Sequence, residues 1–198
     1  MIAALIERRK RLRELLDESL FSPLADITYR RIPYYSPNSI AWLSWHMARC
    51  EDVGINRLSI DSEQVLDHGG WQDLLKIPHR HIGTEMTADE VAKLSVQVDV
   101  RSLLAYHRSV LDRTDDVLGG MQDSALDEAL DPEYVFEVLA GEGVLKESAQ
   151  WVAGIYQGKT RGWFQLHSGL THNFYHVSQV RTLRAVFALE AKAARNGN

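Results

Sequence analysis

Apolar residues recur at three- and four-residue spacing through the first twenty positions (Ile2, Leu5, Leu12, Leu15, Leu16 and Leu20), the period of a helix with one buried face. Ser22-Pro23 ends it, because proline cannot continue the backbone hydrogen bonding. The segment Ile32-Pro33-Tyr34-Tyr35-Ser36-Pro37-Asn38-Ser39 is a loop with helix-start chemistry. Its Ser and Asn oxygens can accept from free backbone N–H groups, and Pro37 sacrifices no bond in a first turn. A second helix is predicted from residue 37 or 39 to about residue 58. Residues 61–83, with Gly69, Gly70, Pro78 and Gly83, are predicted to be irregular apart from a short helix at 71–75. Thr87-Ala88-Asp89-Glu90 is a capping box and opens another short helix, followed by a long one that ends near Gly119-Gly120. Residues 121–143, punctuated by Asp131-Pro132 and Gly141-Glu142-Gly143, read as loops around a short helix. A short helix at about 145–155 then leads into a last long one at about 160–192. Alternating runs of β-branched residues are nearly absent. The pattern predicts an all-α fold: four long helices with crossover connections and short extra helices, in a single domain over residues 1–198.

Composition narrows the functions. Acidic side chains outnumber basic ones, 27 to 22, for a net charge of -5, whereas a nucleic-acid surface shows as a basic excess or stripe. The one dense basic run, Arg8-Arg9-Lys10-Arg11 with Arg13, reads as the solvated face of the first helix. No nucleic-acid partner is expected. Cys50 is the only cysteine, so no intrachain disulfide forms, which suits a reducing compartment. The N-terminus lacks the charge-then-apolar order of a signal peptide, and no uncharged stretch approaches the roughly 20 apolar residues that cross a bilayer. A cytoplasmic protein with no membrane association is the expectation.

The candidate chemistry lies in histidines. Residues four apart on a helix are about 40° apart around the axis and about 6 Å along it, so His172 and His176 share a face. Two imidazoles at that spacing can reach one ion, since Zn–N bonds are about 2.0–2.1 Å long. A third ligand must come from elsewhere, and the best placed is His46, mid-helix in Trp42-Leu43-Ser44-Trp45-His46-Met47. His46 faces inward with Leu43, Cys50 and Val53, while the His172/His176 face continues through Gln179, Leu183 and Phe187. Three buried imidazoles converging on a metal would satisfy one another's nitrogens. Taken alone, however, an H-x-x-x-H pair is more often incidental, and a lone inward histidine is more often a core residue. Spacing leaves both readings open.

Other residues have bland readings. Cys50, four after His46, is a possible fourth ligand but reads as a small core hydrophobe, and a permanent fourth ligand would close the position that catalysis needs. His79 and His81 lie in the irregular region and read as surface residues or, less simply, as the mouth of a pocket. His167 stands about 140° from His172 on an α-helical wheel. His107 faces solvent or a neighbouring helix, and His68 precedes a glycine turn. Trp42, Trp45, Trp163 and Tyr175 read as core or interface aromatics, and Arg181 and Arg184 as solvated arginines rather than anchors for an anionic substrate.

Three blocks decide between the readings: residues 38–52 (NSIAWLSWHMARCED), 82–91 (IGTEMTADEV) and 171–184 (THNFYHVSQVRTLR). In kind and order they resemble the DinB-like superfamily of bacterial four-helix-bundle proteins. The resemblance implies one divalent metal, often zinc or nickel, held by one histidine of the second helix and a pair on the last. By position these are His46, His172 and His176. Several characterised relatives are thiol-dependent transferases or isomerases that use low-molecular-weight thiols such as mycothiol or bacillithiol, and dimers are common among them. One departure matters: many relatives carry Gly-Glu after the second histidine of the last helix, where this chain has Ser178-Gln179. Gln179 can hydrogen-bond near a metal but cannot act as a carboxylate base.

Three histidines leave a coordination position open, as in catalytic zinc sites. A metal there lowers the pKa of bound water, giving hydrolysis, or binds a thiol as thiolate, giving thiol transfer or isomerisation. With no nucleophile triad, phosphate loop or dinucleotide fingerprint in the sequence, the expectation is a metal-dependent S-transferase or isomerase, with hydrolase as a close variant. It would act on a small molecule as a homodimer. The alternative is a non-catalytic stress-response protein whose same histidines bind a metal or small ligand.

Overall fold

The computed structural model describes residues 1–196. Helix α1 (Ile2–Ser19) is followed by the short α2 (Asp26–Arg30). Helix α3 (Ile40–Glu51) runs directly into a π-helix, Asp52–Ser59. Then come α4 (Trp71–Leu75), α5 (Ala88–Gln97), α6 (Val100–Gly120), α7 (Pro132–Gly141) and α8 (Trp151–Tyr156). Helix α9 (Arg161–Leu166), a second π-helix (His167–Thr171) and α10 (His172–Asn196) form one continuous rod. No β-strand occurs among the described residues; a single bridge joins Ala129 to Thr160. The all-α expectation holds, with α1, α3, α6 and the α9–α10 rod as the long members of the bundle.

Every residue of α3 is buried, which makes it the central helix: a helix enclosed on all sides needs no polar face. It packs on α6 and α10, and α1 packs on the same two. The helix starts follow local chemistry. Ser39 accepts from the Trp42 N–H at 3.0 Å, and Thr87 and Glu90 form the capping box read from the sequence. Asp99 caps α6, and Asp131 caps α7 with Pro132 in the first turn.

Four features differ from the sequence reading. Helix α2 is new, and α8 is shorter than expected. Arg9 is not solvated: it is 2% exposed and turns inward from α1. The fourth difference positions the site. Both long histidine-bearing rods contain π segments where unbroken α-helix was expected, and π turns are frequent at functional sites. The two π segments meet at Gly54 and Ser168, where a Cβ added to Gly54 would fall 2.5 Å from the Ser168 Cβ. Gly54→Ala is therefore expected to destabilise the protein by about 1–3 kcal/mol, the cost of overpacking a tight contact. Ser168→Gly in the same chain should restore most of the loss in thermal unfolding. A Gly54→Ala protein that melts like the wild type would disprove this role for the contact.

Candidate metal centre

His46 projects from the middle of α3, and His172 and His176 from the first two turns of α10. Their rings come together: centroids lie 4.9 Å apart for His46–His172, 4.8 Å for His46–His176 and 4.5 Å for His172–His176. One ring nitrogen from each lies within 4.8 Å of those of the other two. The Nε2 atoms of His46 and His172 are 3.2 Å apart. Two nitrogens bonded to one ion at about 2.0–2.1 Å in tetrahedral geometry stand about 3.3 Å apart, so the donor set fits a single metal.

Hydrogen bonds select which nitrogen faces the cluster. His46 Nδ1 lies 2.5 Å from the Ile82 carbonyl oxygen; a carbonyl only accepts, so Nδ1 carries the proton and Nε2 keeps its lone pair. His176 Nδ1 donates to Gln179 Oε1 at 2.8 Å with the same consequence. Such outer partners orient metal-binding imidazoles. His172 differs, because its Nδ1 is buried with no hydrogen-bond partner among the described residues.

Burial also sets the charge. Desolvation, and after it the neighbouring His176, pushes the His46 imidazole down to about 3, against a weaker opposing effect of the Ile82 hydrogen bond. Desolvation takes His172 well below its ordinary value and lowers His176. The three rings are thus neutral near pH 7, which is the form that ligates.

The loop that serves His46 is tightly specified. Gly83 has φ +92°, and a Cβ there would lie 2.5 Å from the Trp45 ring, so only glycine allows the turn that presents Ile82. On its other side the His46 ring stacks on Trp42, centroids 4.7 Å apart at 16°, and the Trp42 Nε1–H meets Met86 Sδ at 3.3 Å. A cleft of about 340 Å³, bordered by Trp42, Gly83, Thr84 and Met86, reaches His46. The larger hollows beside α6 touch none of the three histidines.

The remaining sequence candidates fall elsewhere. Cys50 Sγ is 3.7 Å from His46 Nδ1, but burial pushes its thiol up to about 12; it is a neutral core group packed with α7 and α8. His167 lies nearer His172 than an α-helical wheel implies. The π-helix His167–Thr171 spans the step between them, with bonds that join residues five apart, and the two ring centroids stand 6.1 Å apart. His167 stacks on Trp163 and is outside the three-histidine group. His79 and His81, expected at the surface, are half-buried against each other. His107 is fully buried, while His68 is exposed and paired with Glu63. Arg184 donates to the Ser19 and Ser22 carbonyls, Arg181 is exposed, and Tyr175, beside His176, is 62% exposed.

A sequence model of the DinB superfamily matches residues 4–180, a span that includes all three histidines. The chain belongs to the DinB superfamily. Among solved structures, this DinB-superfamily protein is similar to a conserved protein of Enterococcus faecalis, with a TM-score of 0.63 and 19% identity. The match covers 92% of this chain and 96% of the other, and at that identity it speaks to the fold alone. No curated protein matches the sequence.

The sequence reading missed the Ile82 carbonyl and a buried set of Arg9, Glu51 and Asn173 beside the centre. A backbone acceptor leaves no trace in side-chain chemistry. The buried set had a signal: a carboxylate at the end of the largely apolar α3 needs a partner in the core.

Proposed function

We propose that His46, His172 and His176 hold one divalent metal ion, zinc or nickel, and that the protein is a metal-dependent enzyme, a thiol S-transferase or isomerase using a low-molecular-weight thiol. Hydrolysis is the close variant. The observation that carries the reading is the convergence of three neutral imidazoles, two with Nε2 atoms 3.2 Å apart, next to a cleft of small-molecule size. When bound, such an ion supplies a Lewis acid that favours the thiolate of a thiol, or the hydroxide of water, at neutral pH. The chain's own part is to orient and to exclude. The Ile82 carbonyl and Gln179 fix the rings of His46 and His176. Trp42 covers one face of His46, and Trp42 and Met86 give the cleft an apolar border. Gln179 cannot take a proton, so on this reading the proton released by the thiol passes to solvent. That same feature favours a second reading, a stress-response protein that binds a metal or small ligand without turnover. We place the protein in the cytoplasm as a homodimer; no helix among the described residues is long and apolar enough to cross a membrane.

The test is a titration of metal-free protein with zinc and with nickel. One ion per chain is expected, with affinity reduced on the order of 100-fold or more in His46→Ala, since even outer-sphere changes cost 10–100-fold. Loaded protein is then assayed with several low-molecular-weight thiols and an electrophilic acceptor. Turnover that disappears in His46→Ala supports the enzyme, and binding without turnover supports the binder. Absence of stoichiometric binding would refute the metal-dependent enzyme and the metal-binding form of the second reading.

A further inference from the structure

Two of the three imidazoles are held at Nδ1 by an outer hydrogen bond, His46 by Ile82 and His176 by Gln179. His172 is not, so its place must come from its backbone. That backbone begins α10 directly after the π-helix His167–Thr171, and the π-helix is gripped from the core. Arg9 reaches across from α1 and donates from Nη1 to the Gly169 carbonyl at 2.6 Å and from Nη2 to the Leu111 carbonyl at 3.2 Å. Its Nη2 also pairs with Glu51 Oε1 at 2.9 Å, both side chains almost wholly buried, and its Nε meets Asp115 at 2.5 Å. The other oxygen of Glu51 accepts from the Asn173 side-chain amide, which also reaches the Ser168 carbonyl at 3.3 Å.

Asn173 immediately follows His172, and Glu51 lies five residues beyond His46 on α3, about 7.5 Å along the axis. Helices α3 and α10 are therefore tied twice, once at the histidines and once at Glu51–Asn173, with Arg9 fastening the π turn that leads into α10. A buried ion pair is a poor source of net stability, because desolvation offsets its attraction; fixing register is its best-attested use. Register matters here. A slip of one residue in α10 would swing His172 by about 100° and take its Nε2 away from His46.

We infer that Arg9, Glu51 and Asn173 are positioning residues for the metal centre: they hold the π turn and the register of α10 so that His172 meets His46 before any ion arrives. The inference rests on the metal-binding reading above and adds residues from α1, α3 and α10 that make no hydrogen bond to the ligand rings.

The test uses the full chain, metal-free, titrated with Co²⁺ against a chromophoric chelator, with the visible spectrum of the complex recorded. Two variants are compared with the wild type: Asn173→Leu, which keeps the Arg9–Glu51 pair, and Glu51→Gln, which keeps the shape. Each is expected to bind Co²⁺ about 10–100-fold more weakly, the usual effect of removing an outer support, with shifted ligand-field bands. Val135→Ala, on the buried face of α7 and outside the three-histidine group, serves as a destabilised control and should keep wild-type affinity and spectrum. Wild-type behaviour in both test variants overturns the inference while leaving metal binding intact. So does an equal loss in Val135→Ala, which would reduce the effect to general stability. If the wild type itself binds no Co²⁺, zinc or nickel, the metal reading fails and takes this one with it.

Discussion

Asp52→Ala is expected to lower the unfolding free energy by about 3–5 kcal/mol, the cost of leaving a buried charge without its partner. Asp52 and Arg49 are both fully buried. Asp52 Oδ2 accepts from the Tyr106 hydroxyl at 2.7 Å, the Leu66 N–H at 3.0 Å and Arg49 Nη1 at 3.2 Å. Its Oδ1 accepts from Asn56 Nδ2 and the Val65 N–H, both at 2.8 Å. One carboxylate thus satisfies five donors, and its removal leaves the buried Arg49 charge without its carboxylate and two backbone N–H groups without their acceptor. The damage should extend to the candidate metal centre. Arg49 also donates to the Arg80 carbonyl from Nε at 3.0 Å and Nη2 at 2.5 Å, two residues before the carbonyl that orients His46. Urea unfolding of metal-free protein measures the loss. Converting the pair together, Arg49→Met with Asp52→Leu, should recover part of it, because the uncompensated charge rather than the missing bond dominates. A single Asp52→Ala variant within about 1 kcal/mol of the wild type would contradict this account.

What the sequence made legible, and what it hid, follows from the physics of each element. Helix α1 was readable because its apolar spacing is regular, and α5 because Thr87 and Glu90 advertise a capping box. The three histidines were readable as candidates because two of them share a helical face and the third sits in an apolar run. The π segments were hidden: inserting one residue into a helix leaves apolar residues close to three- and four-residue spacing on either side, so the pattern still reads as one helix. That misplaced His167 on the wheel. The inward turn of Arg9 was within reach, since it falls in line with Leu5, Leu12 and Leu16, yet the surrounding run of charges dominated the reading. His107 likewise lies on the stripe of Leu103, Val110 and Leu111. Helix α2 spans only five residues, too few for periodicity to register. The choice of metal is hidden for a different reason, because imidazole suits zinc, nickel, copper and iron alike and availability decides much of the outcome.

Acidification from pH 7.5 to 5 is expected to cost the metal-free protein about 4 kcal/mol through two histidines alone. Burial pushes His46 down to about 3. It does the same to His107, with Arg13, Arg108 and Arg9 adding repulsion. His107 is enclosed between Ser44 Oγ, 3.1 Å from its Nδ1, and Phe21, whose ring meets it edge-on at 5.5 Å. In the unfolded chain both regain an ordinary value near 6.5. Between about 6.5 and 3 the unfolded state therefore binds protons that the folded state refuses. Stability is complete above that window and falls as pH drops through it, by about 1.4 kcal/mol per unit for each group, so about 2 kcal/mol apiece by pH 5. His172, shifted the same way, adds to the loss. Other groups also titrate, so the decisive quantity is a difference: His107→Leu should lose about 2 kcal/mol less than the wild type between pH 7.5 and 5 in urea unfolding. On the proposed metal-binding reading, saturating metal raises the stability of both proteins by mass action but does not touch His107. The gap between wild type and His107→Leu should therefore be the same with and without metal, whereas the contribution of His46 should change on loading. Equal acid losses in the two proteins would mean that His107 takes up its proton while folded, and that the core around α3 and α6 admits a charge.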